Sequence, residues 1–444
     1  MIKFHKSNNF LLQVSEQLVI TDSKNIKTRI LIVLAVLIAF AFGWLSIRWQ
    51  FGNMLADLTP SNAPNAKSIS DLAFRLSPSD PSTNLFAANV EANAFSPEKM
   101  EKSLLFSENA VRLAPYNFEW WLFLGRNYEQ SEQYEKAEKV ILHALELAPT
   151  YTLPNWQLGN FYLRRGRDTE AFAQLKKAAE NNLLYREQVF SIAWDYYDKN
   201  TAKVEELAGN SAEAKASLTK FYAAKERPED AVRIWETLSA DEKEKHTETA
   251  KLIAQALYDK RYFRSSVKFI SELKIEPNAK AETIENPGFE SVLRGGEEKV
   301  FFGWNVDLKE KVKVDRDSNQ KHEGAFGLRV IFTGFANVEL YNLSQLAALT
   351  PSSRYRLSFW VKTENLKSAG TPTLEVVNAK DNKIISVSKA FPNDTNDWQQ
   401  IQVDFALPAD AEGAIFRLAR SYCGENCLIT GTIWLDDFKL EKLK

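Results

Sequence analysis

The pattern of apolar and polar positions changes character twice along the chain. From Ile30 to Ile47 the eighteen residues ILIVLAVLIAFAFGWLSI carry no charge, between Arg29 and Arg48. As a helix rising 1.5 Å per residue, this run is about 27 Å long, close to the ~30 Å of a bilayer hydrocarbon core. It lacks the polar stripe of a core helix, and Trp44 and Trp49 at one end suit an aromatic belt at headgroup level. Lys3, Lys6, Lys24, Lys27 and Arg29 precede the run, whereas only Arg48 and Lys67 follow it over the next twenty residues. The positive-inside rule therefore predicts a cytoplasmic tail over 1–29, a transmembrane helix over 30–48 and export of everything beyond. A cleaved signal peptide ending near Ala39-Phe40-Ala41 is the rival reading; the long polar leader and the apolar residues past that point favour an uncleaved anchor. TPSNAPNAK (59–67) marks the end of a tether expected over 49–65.

Beyond the tether the apolar positions take up a helical period and then repeat. Leu124, Gly125, Tyr128, Ala137, Ile141 and Ala144 recur 34 residues later as Leu158, Gly159, Tyr162, Ala171, Leu175 and Ala178, and Pro115 precedes Pro149 by the same step. A third helix in register supplies Ile192, Ala193 and Tyr196. Small residues at 125, 159 and 193 let the two helices of a hairpin approach closely, the tyrosines fill the space beside them, and the prolines end one hairpin before the next. This pattern resembles the tetratricopeptide repeat, whose W-x2-L-G-x2-Y…A-x3-F signature is matched from Trp121 onward.

Weaker copies extend both ways. Leu218, Tyr222, Ala231 and Trp235 keep the internal offsets, but Tyr196 to Tyr222 is only 26 residues, so one second helix is expected to be short or irregular. Ala254, Tyr258 and Val267 give a further hairpin before Pro277, while Val90 with Ala110, and Ala73 with Pro78, mark degenerate units upstream. The expectation is an α-solenoid of five to six units over 66–280. The resemblance implies a concave surface that binds a protein partner and carries no chemistry. Asn127 and Asn160, polar residues on first helices, are the candidate groove positions; a plain spacer is the alternative.

After Pro277 the helical period gives way to short alternating runs separated by Gly, Pro, Asn and Asp. GLRVIF (327–332), NVELYNL (337–343), YRLSFWVK (355–362), TLEVVN (373–378), WQQIQVDFAL (398–407) and GAIFRLAR (413–420) read as half-buried strands of an antiparallel β-sandwich. Alternation places Leu357, Phe359, Val361, Leu374, Val376, Phe416, Leu418, Ile433 and Leu435 inside. It turns Trp360, Trp434, Arg329, Glu375 and Arg417 outward, and these five together form a candidate sugar cleft of flat rings beside hydrogen-bonding groups. Coverage of these tryptophans by loops or by the solenoid is the alternative.

Several phrases of this region carry a second resemblance. NPGFE (286–290), Gly303-Trp304, HEGAFGLRV (322–330), PSSRYRLSFWVK (351–362), DWQQIQVDF (397–405) and IWLDDFKL (433–440) follow one another in an order similar to that of the galactose-binding-like jelly roll of bacterial carbohydrate-binding modules. It covers the last domain, 281–444. Such modules often hold a structural Ca²⁺ between first and last strands, and the matching residues here are Glu290, Glu323, Asp436 and Asp437. Oxygen-only ligands suit that hard cation, and a solvated acidic edge is the alternative. Cys423 and Cys427, with three residues between them in an exported domain, do not have redox CxxC spacing and are expected to form a local disulfide.

Composition narrows the class. Fifty-six Lys and Arg balance fifty-eight Asp and Glu, giving a net charge of −2, which argues against a nucleic-acid partner. The four His lie in four separate regions, and HExxH, GxSxG, P-loop and strand-linked GxGxxG patterns are absent. The chain is therefore expected to be non-enzymatic. The expected whole is a single-pass protein of the bacterial inner membrane, its N-terminus inside and its later domains periplasmic or extracellular. Its expected role is that of an envelope adaptor in cell-surface polysaccharide assembly or export, with a protein partner on the repeats and glycan on the sandwich. A purely structural scaffold, or an accessory subunit presenting substrate to a separate glycan enzyme, are the alternatives.

Overall fold

The computed structural model describes residues 25–93, 96–180, 182–295, 300–307, 310–338, 340–341, 343–420 and 423–444. Lys3, Lys6 and Lys24 of the expected tail lie outside these residues. The chain divides into two compact units, 1–175 and 176–444.

The first unit is helical: α1 (Ile26–Leu58), α2 (Ala66–Leu76), α3 (Pro81–Ala92), α4 (Pro97–Leu113), α5 (Phe118–Gln130), α6 (Tyr134–Leu147), α7 (Thr152–Arg164) and most of α8 (Asp168–Glu180). Helix α1 contains the apolar run and is long and apolar enough to cross a membrane. It does not stop at Arg48, and this corrects the expected tether over 49–65. Residues 49–58 are helical because their polar and small side chains have somewhere to pack. Gly52 and Ala56 are buried, and a Cβ at Gly52 would collide with Ser77 at the end of α2. Asn53 donates to both carboxylate oxygens of Asp80 at 3.2–3.3 Å. That same buried Asp80 caps α3 by accepting from Thr83 N, with Pro81 at the first helical position.

From α4 onward the hairpins lock in a repeated way. Gly125 faces Ile141, and Gly159 faces Leu175, in contacts that leave no room for a Cβ. The Tyr128 hydroxyl donates to Glu108, and that of Tyr162 donates to Glu138 at 2.9 Å. Burial first, and the Glu138 bond second, push the Tyr162 phenol up to about 12. Arg167 in turn grips Glu138 at 2.8 Å and lies over the Tyr162 ring.

The second unit begins with α9 (Leu183–Tyr196), α10 (Thr201–Ala208), α11 (Ala212–Ala224), α12 (Pro228–Glu236), α13 (Ala240–Lys245), α14 (Thr247–Asp259) and α15 (Phe263–Glu272). Helix α10 is the short second helix that the 26-residue interval requires; it has eight residues and is ended by Gly209 at φ 77°. The Tyr–Glu–Arg lock recurs as Tyr222, Glu205 and Arg233.

Eleven strands follow among the described residues: β1 (Arg294–Gly295), β2 (Asn305–Val306), β3 (Val312–Asp317), β4 (Gly327–Asn337), β5 (Leu343–Ala348), β6 (Arg354–Ser368), β7 (Pro372–Asn378), β8 (Ile384–Val387), β9 (Asp394–Ala406), β10 (Gly413–Arg420) and β11 (Leu428–Leu443). They form a six-stranded sheet ordered β1-β2-β5-β10-β7-β8 and a five-stranded sheet ordered β3-β4-β11-β6-β9. All described pairings are antiparallel except the two-residue β1–β2 ladder. Leu357, Phe359, Val361, Leu374, Val376, Phe416, Leu418, Ile433 and Leu435 all enter the shared core, as their alternation requires. Trp304 joins them, packed between Phe289 and Phe438.

The last helical hairpin and the sandwich belong to one unit, joined by specific bonds. The buried Glu276 carboxylate accepts the backbone N–H groups of Phe301, Phe302 and Gly303 at 2.7–3.0 Å. The Tyr258 ring meets the edges of Phe301 and Phe302, and Arg264 N donates to Glu412. Farther along, Glu282 accepts from Thr350, from the Tyr355 hydroxyl at 2.8 Å and from Lys442 at 3.1 Å. These bonds, with the Thr350 hydroxyl the strongest, hold its carboxyl down to about 2.

Two outcomes test these locks. Gly125→Val should lower stability by about 1–3 kcal/mol by overpacking against Ile141, and adding Ile141→Ala should recover part of the loss in denaturant titrations. For Glu282 the folded pKa lies below the ordinary carboxylate value of about 4.3, so its contribution is present above that value and is lost as pH falls towards 2. Glu282→Gln should therefore lower the melting temperature at pH 7 and flatten its decline between pH 4.5 and 2.

Candidate functional site

The sandwich presents two outer faces, and they divide the five residues expected to share one cleft. Trp360, Trp434 and Arg329 belong to β6, β11 and β4 of the five-stranded sheet, while Glu375 and Arg417 belong to β7 and β10 of the six-stranded sheet. Alternation sets which way each side chain points but not which sheet a strand joins. The single cleft is therefore corrected to two separate surfaces.

On the five-stranded face the tryptophans are not free platforms. Trp434 is 5% exposed and donates its indole N–H to Asp317 at 3.0 Å. Arg329 is engaged in two parallel bonds to Asp315, at 2.8 and 3.0 Å, and a third to Asp317. The Arg329 bond lowers the Asp315 pKa. Trp360 is half-buried because the β3–β4 loop returns over it: the His322 ring stacks on its face at 3.9 Å and 15°, and Trp398 meets His322 edge-on.

The six-stranded face is half covered and half open. At one end Leu346 and Val377 point outward yet are buried, and a Cβ at Gly413 would meet the Phe263 ring of α15. Arg261 donates to the carbonyl of Ala379 beside them. At the other end Arg417 pairs with Glu375 at 2.7 Å, in register with Ser344 and Asn305 on one side and Val387 on the other. The Arg417 guanidinium lies 4.4 Å from the centre of the Tyr341 ring, whose residue is 50% exposed. Glu375 itself is buried, so the accessible groups are the partly exposed Arg417 guanidinium, a hydroxyl-bonding donor, and the apolar face of the Tyr341 ring.

A third cluster lies where β11 meets the 286–290 turn and the β3–β4 loop. Asp436 is fully buried, accepting His322 N and Glu323 N on one oxygen and Asp437 N on the other. Burial, partly offset by these bonds, raises its pKa to about 6. Oxygens of Asp436, Asp437 and Glu290 all fall 3.5–3.8 Å from the point a Cβ would take at Gly288. Donor atoms of His322, Glu323 and Asp437 lie within 4.8 Å of one another, and His322 Nδ1 is 2.5 Å from Asp437 Oδ2. Of the four acidic residues expected near a cation, Glu323 and Asp437 group with His322, which their spacing did not single out, while Asp436 and Glu290 lie beside Gly288 and accept backbone N–H groups. A carboxylate-rich donor set around a glycine-sized gap fits a hard divalent cation.

The remaining candidates have local roles. Cys423 and Cys427 are joined as a disulfide with Cα atoms 5.3 Å apart, and Arg420 donates to Cys427 Sγ, to Ser368 Oγ and to the carbonyls of Gly370 and Val338. Asn127 is corrected from groove to interior: it is 2% exposed and donates to Ser103 and Ser107 on the preceding helix. Asn160 is half-buried and turns its amide back onto the carbonyl of Trp156 in its own helix. Sequence reasoning also passed over Tyr341: it lies in the expected strand 337–343, but the structure puts it between β4 and β5, where its N–H donates to the carbonyl of Leu418 at 2.9 Å and its ring meets Arg417.

Comparison with known proteins agrees with this division. Residues 281–421 match the carbohydrate binding domain family model. The chain is similar to anaphase-promoting complex subunit 3 of Schizosaccharomyces pombe, 26% identical over 197 residues, covering 38% of this chain and 28% of that protein. Among solved structures it is similar to a carbohydrate-binding module of family 4, with 14% identity, 36% of this chain and 99% of that one, and a TM-score of 0.28. It is also similar to pilF of Pseudomonas aeruginosa, with 16% identity, 43% of this chain and 89% of that one, and a TM-score of 0.31. The chain thus carries tetratricopeptide-like helical repeats followed by a carbohydrate-binding-domain sandwich.

Proposed function

We propose that this protein is a membrane-anchored, non-enzymatic adaptor of the bacterial envelope, in which the repeats hold a protein partner and the sandwich holds glycan during polysaccharide assembly or export. The observation that carries the glycan half is the open end of the six-stranded face, where Arg417, Glu375 and Tyr341 meet within a domain that matches a carbohydrate-binding family. There the Arg417 guanidinium, held in place by the buried Glu375, bonds hydroxyls while the Tyr341 ring packs on the apolar side of a sugar. The protein half rests on the repeats alone, whose stacked helices present surface without chemistry. The apolar Ile26–Leu58 helix supports anchoring, and the positive residues before it support an inside N-terminus.

The acidic cluster is read as a structural Ca²⁺ site in which Glu290, Glu323, Asp436 and Asp437 supply oxygens and His322 orients Asp437. A divalent cation would offset the cost that burial places on the Asp436 charge. Its place, between the first turn of the domain and its last strand, favours a fastening role over a chemical one.

Two measurements test these readings. In a glycan array probed with the full chain, Tyr341→Ala and Arg417→Ala should each weaken binding about tenfold, and Trp360→Ala should leave it unchanged. Binding to no envelope polysaccharide would leave the protein-only scaffold as the better account. For the ion, a chelator should lower the melting temperature of the wild type and not that of Asp437→Asn; an unchanged wild-type midpoint removes Ca²⁺ from the account.

A further inference from the structure

The helix that carries the apolar run continues well past it, and its final turns have two faces. Gly52, Asn53 and Ala56 are taken up by α2, α3 and the turn between them. The opposite face carries Trp44, Ile47, Phe51, Met54 and Leu58, spaced three and four residues in alternation. Phe51, Met54 and Leu58 are 51%, 41% and 74% exposed. Alternating steps of three and four define the a and d positions of a heptad. In that frame Gly52, Asn53 and Ala56 fall at b, c and f, so the repeats occupy the outer positions and leave the seam uncovered.

Within the apolar run lipid satisfies every face, and the spacing there decides nothing. Past Ile47 it does. Met54 lies about 10 Å and Leu58 about 16 Å beyond Ile47 along the axis. The headgroup layer adds only roughly 5–8 Å to each side of the hydrocarbon core. Leu58 therefore stands clear of lipid, and the first hairpin packs on the other side of the helix.

We propose that this face pairs with the same face of a second copy, forming a short parallel coiled coil that rises from the membrane and ends at Leu58. Two copies anchored in one orientation present the helix parallel and at the same height, which is what a twofold axis along the membrane normal requires. Phe51, Met54 and Leu58 then meet their own counterparts, and the contacts of Gly52, Asn53 and Ala56 remain intact. The pairing rests on the membrane anchoring proposed above and not on what the sandwich binds.

The chain's two cysteines are bonded to each other, so one introduced cysteine is the sole free thiol. With the full chain in its membrane, Phe51→Cys, Met54→Cys and Leu58→Cys should each cross-link to a dimer under mild copper-phenanthroline oxidation. Trp49→Cys, exposed but at an f position, should stay monomeric. Monomeric Met54→Cys and Leu58→Cys, or cross-linking of Trp49→Cys to the same extent, would overturn the proposal. As an independent readout, light scattering of the detergent-solubilised wild type should give twice the protein mass of Met54→Lys/Leu58→Lys, with unchanged melting of both. Equal masses would overturn it as well.

Discussion

A stacked helical hairpin cannot bury its own apolar face, so every unit depends on a neighbour, and the last unit depends on whatever follows it. In this chain the sandwich supplies that neighbour. Phe263 rests on the sheet at Gly413, Tyr258 packs on Phe301 and Phe302, and Glu276 clasps three backbone N–H groups of the same segment. An anionic acceptor serving three neighbouring donors is among the stronger polar contacts available, and leaving those donors unmet in the interior would be costly. The sandwich is thus the terminal cap of the helices it follows. The same contact decides how much of the six-stranded face remains open.

At its other end the repeat region meets the same requirement in a different way. There the apolar helix itself acts as the neighbour: its extension beyond Arg48 packs on α2 and α3 through Gly52, Asn53 and Ala56. A continuous helix transmits orientation where a flexible tether would not, because it curves only gently and a sharp kink would disrupt its internal hydrogen bonds. The first hairpin is consequently fixed to the apolar segment rather than hung from it.

Much of this was legible in the sequence because it depends on local period. The 34-residue register located Gly125 and Gly159 at helix crossings, and strand alternation sorted Leu357, Phe359, Val361, Phe416 and Leu418 into the core. The errors arose where long-range pairing decides. Glu375 and Trp360 point outward from different sheets because β7 pairs with β10 and β6 with β11, placing them opposite Arg417 and Asp436, distant partners along the chain that alternation cannot identify. Asn127 was read as groove because helix period alone does not reveal the Ser103 and Ser107 hydroxyls that receive it. Pro and Asn at 60–65 end the helix only after Leu58, because the residues upstream pack Gly52 and Ala56 and stay helical.

The same distinction explains why the aromatic excess does not translate directly into binding surface. Trp434 has the outward orientation that a sugar platform needs, but its indole N–H must find an acceptor once buried, and Asp317 provides it. Asp317 also accepts from Arg329, so removing the ring from that network would leave a carboxylate and a guanidinium to rearrange together. Trp360 is held by the His322 stack, and His322 is itself tied to Asp437 in the acidic cluster. Opening that ring to a ligand would therefore disturb the fastening between β11 and the β3–β4 loop. Tyr341 bears no such obligation: half its surface faces solvent, and its contact with Arg417 uses a ring face without tying up the hydroxyl. A ligand arriving at Arg417 displaces water rather than structure, which is why the smaller aromatic on the six-stranded face is the better platform.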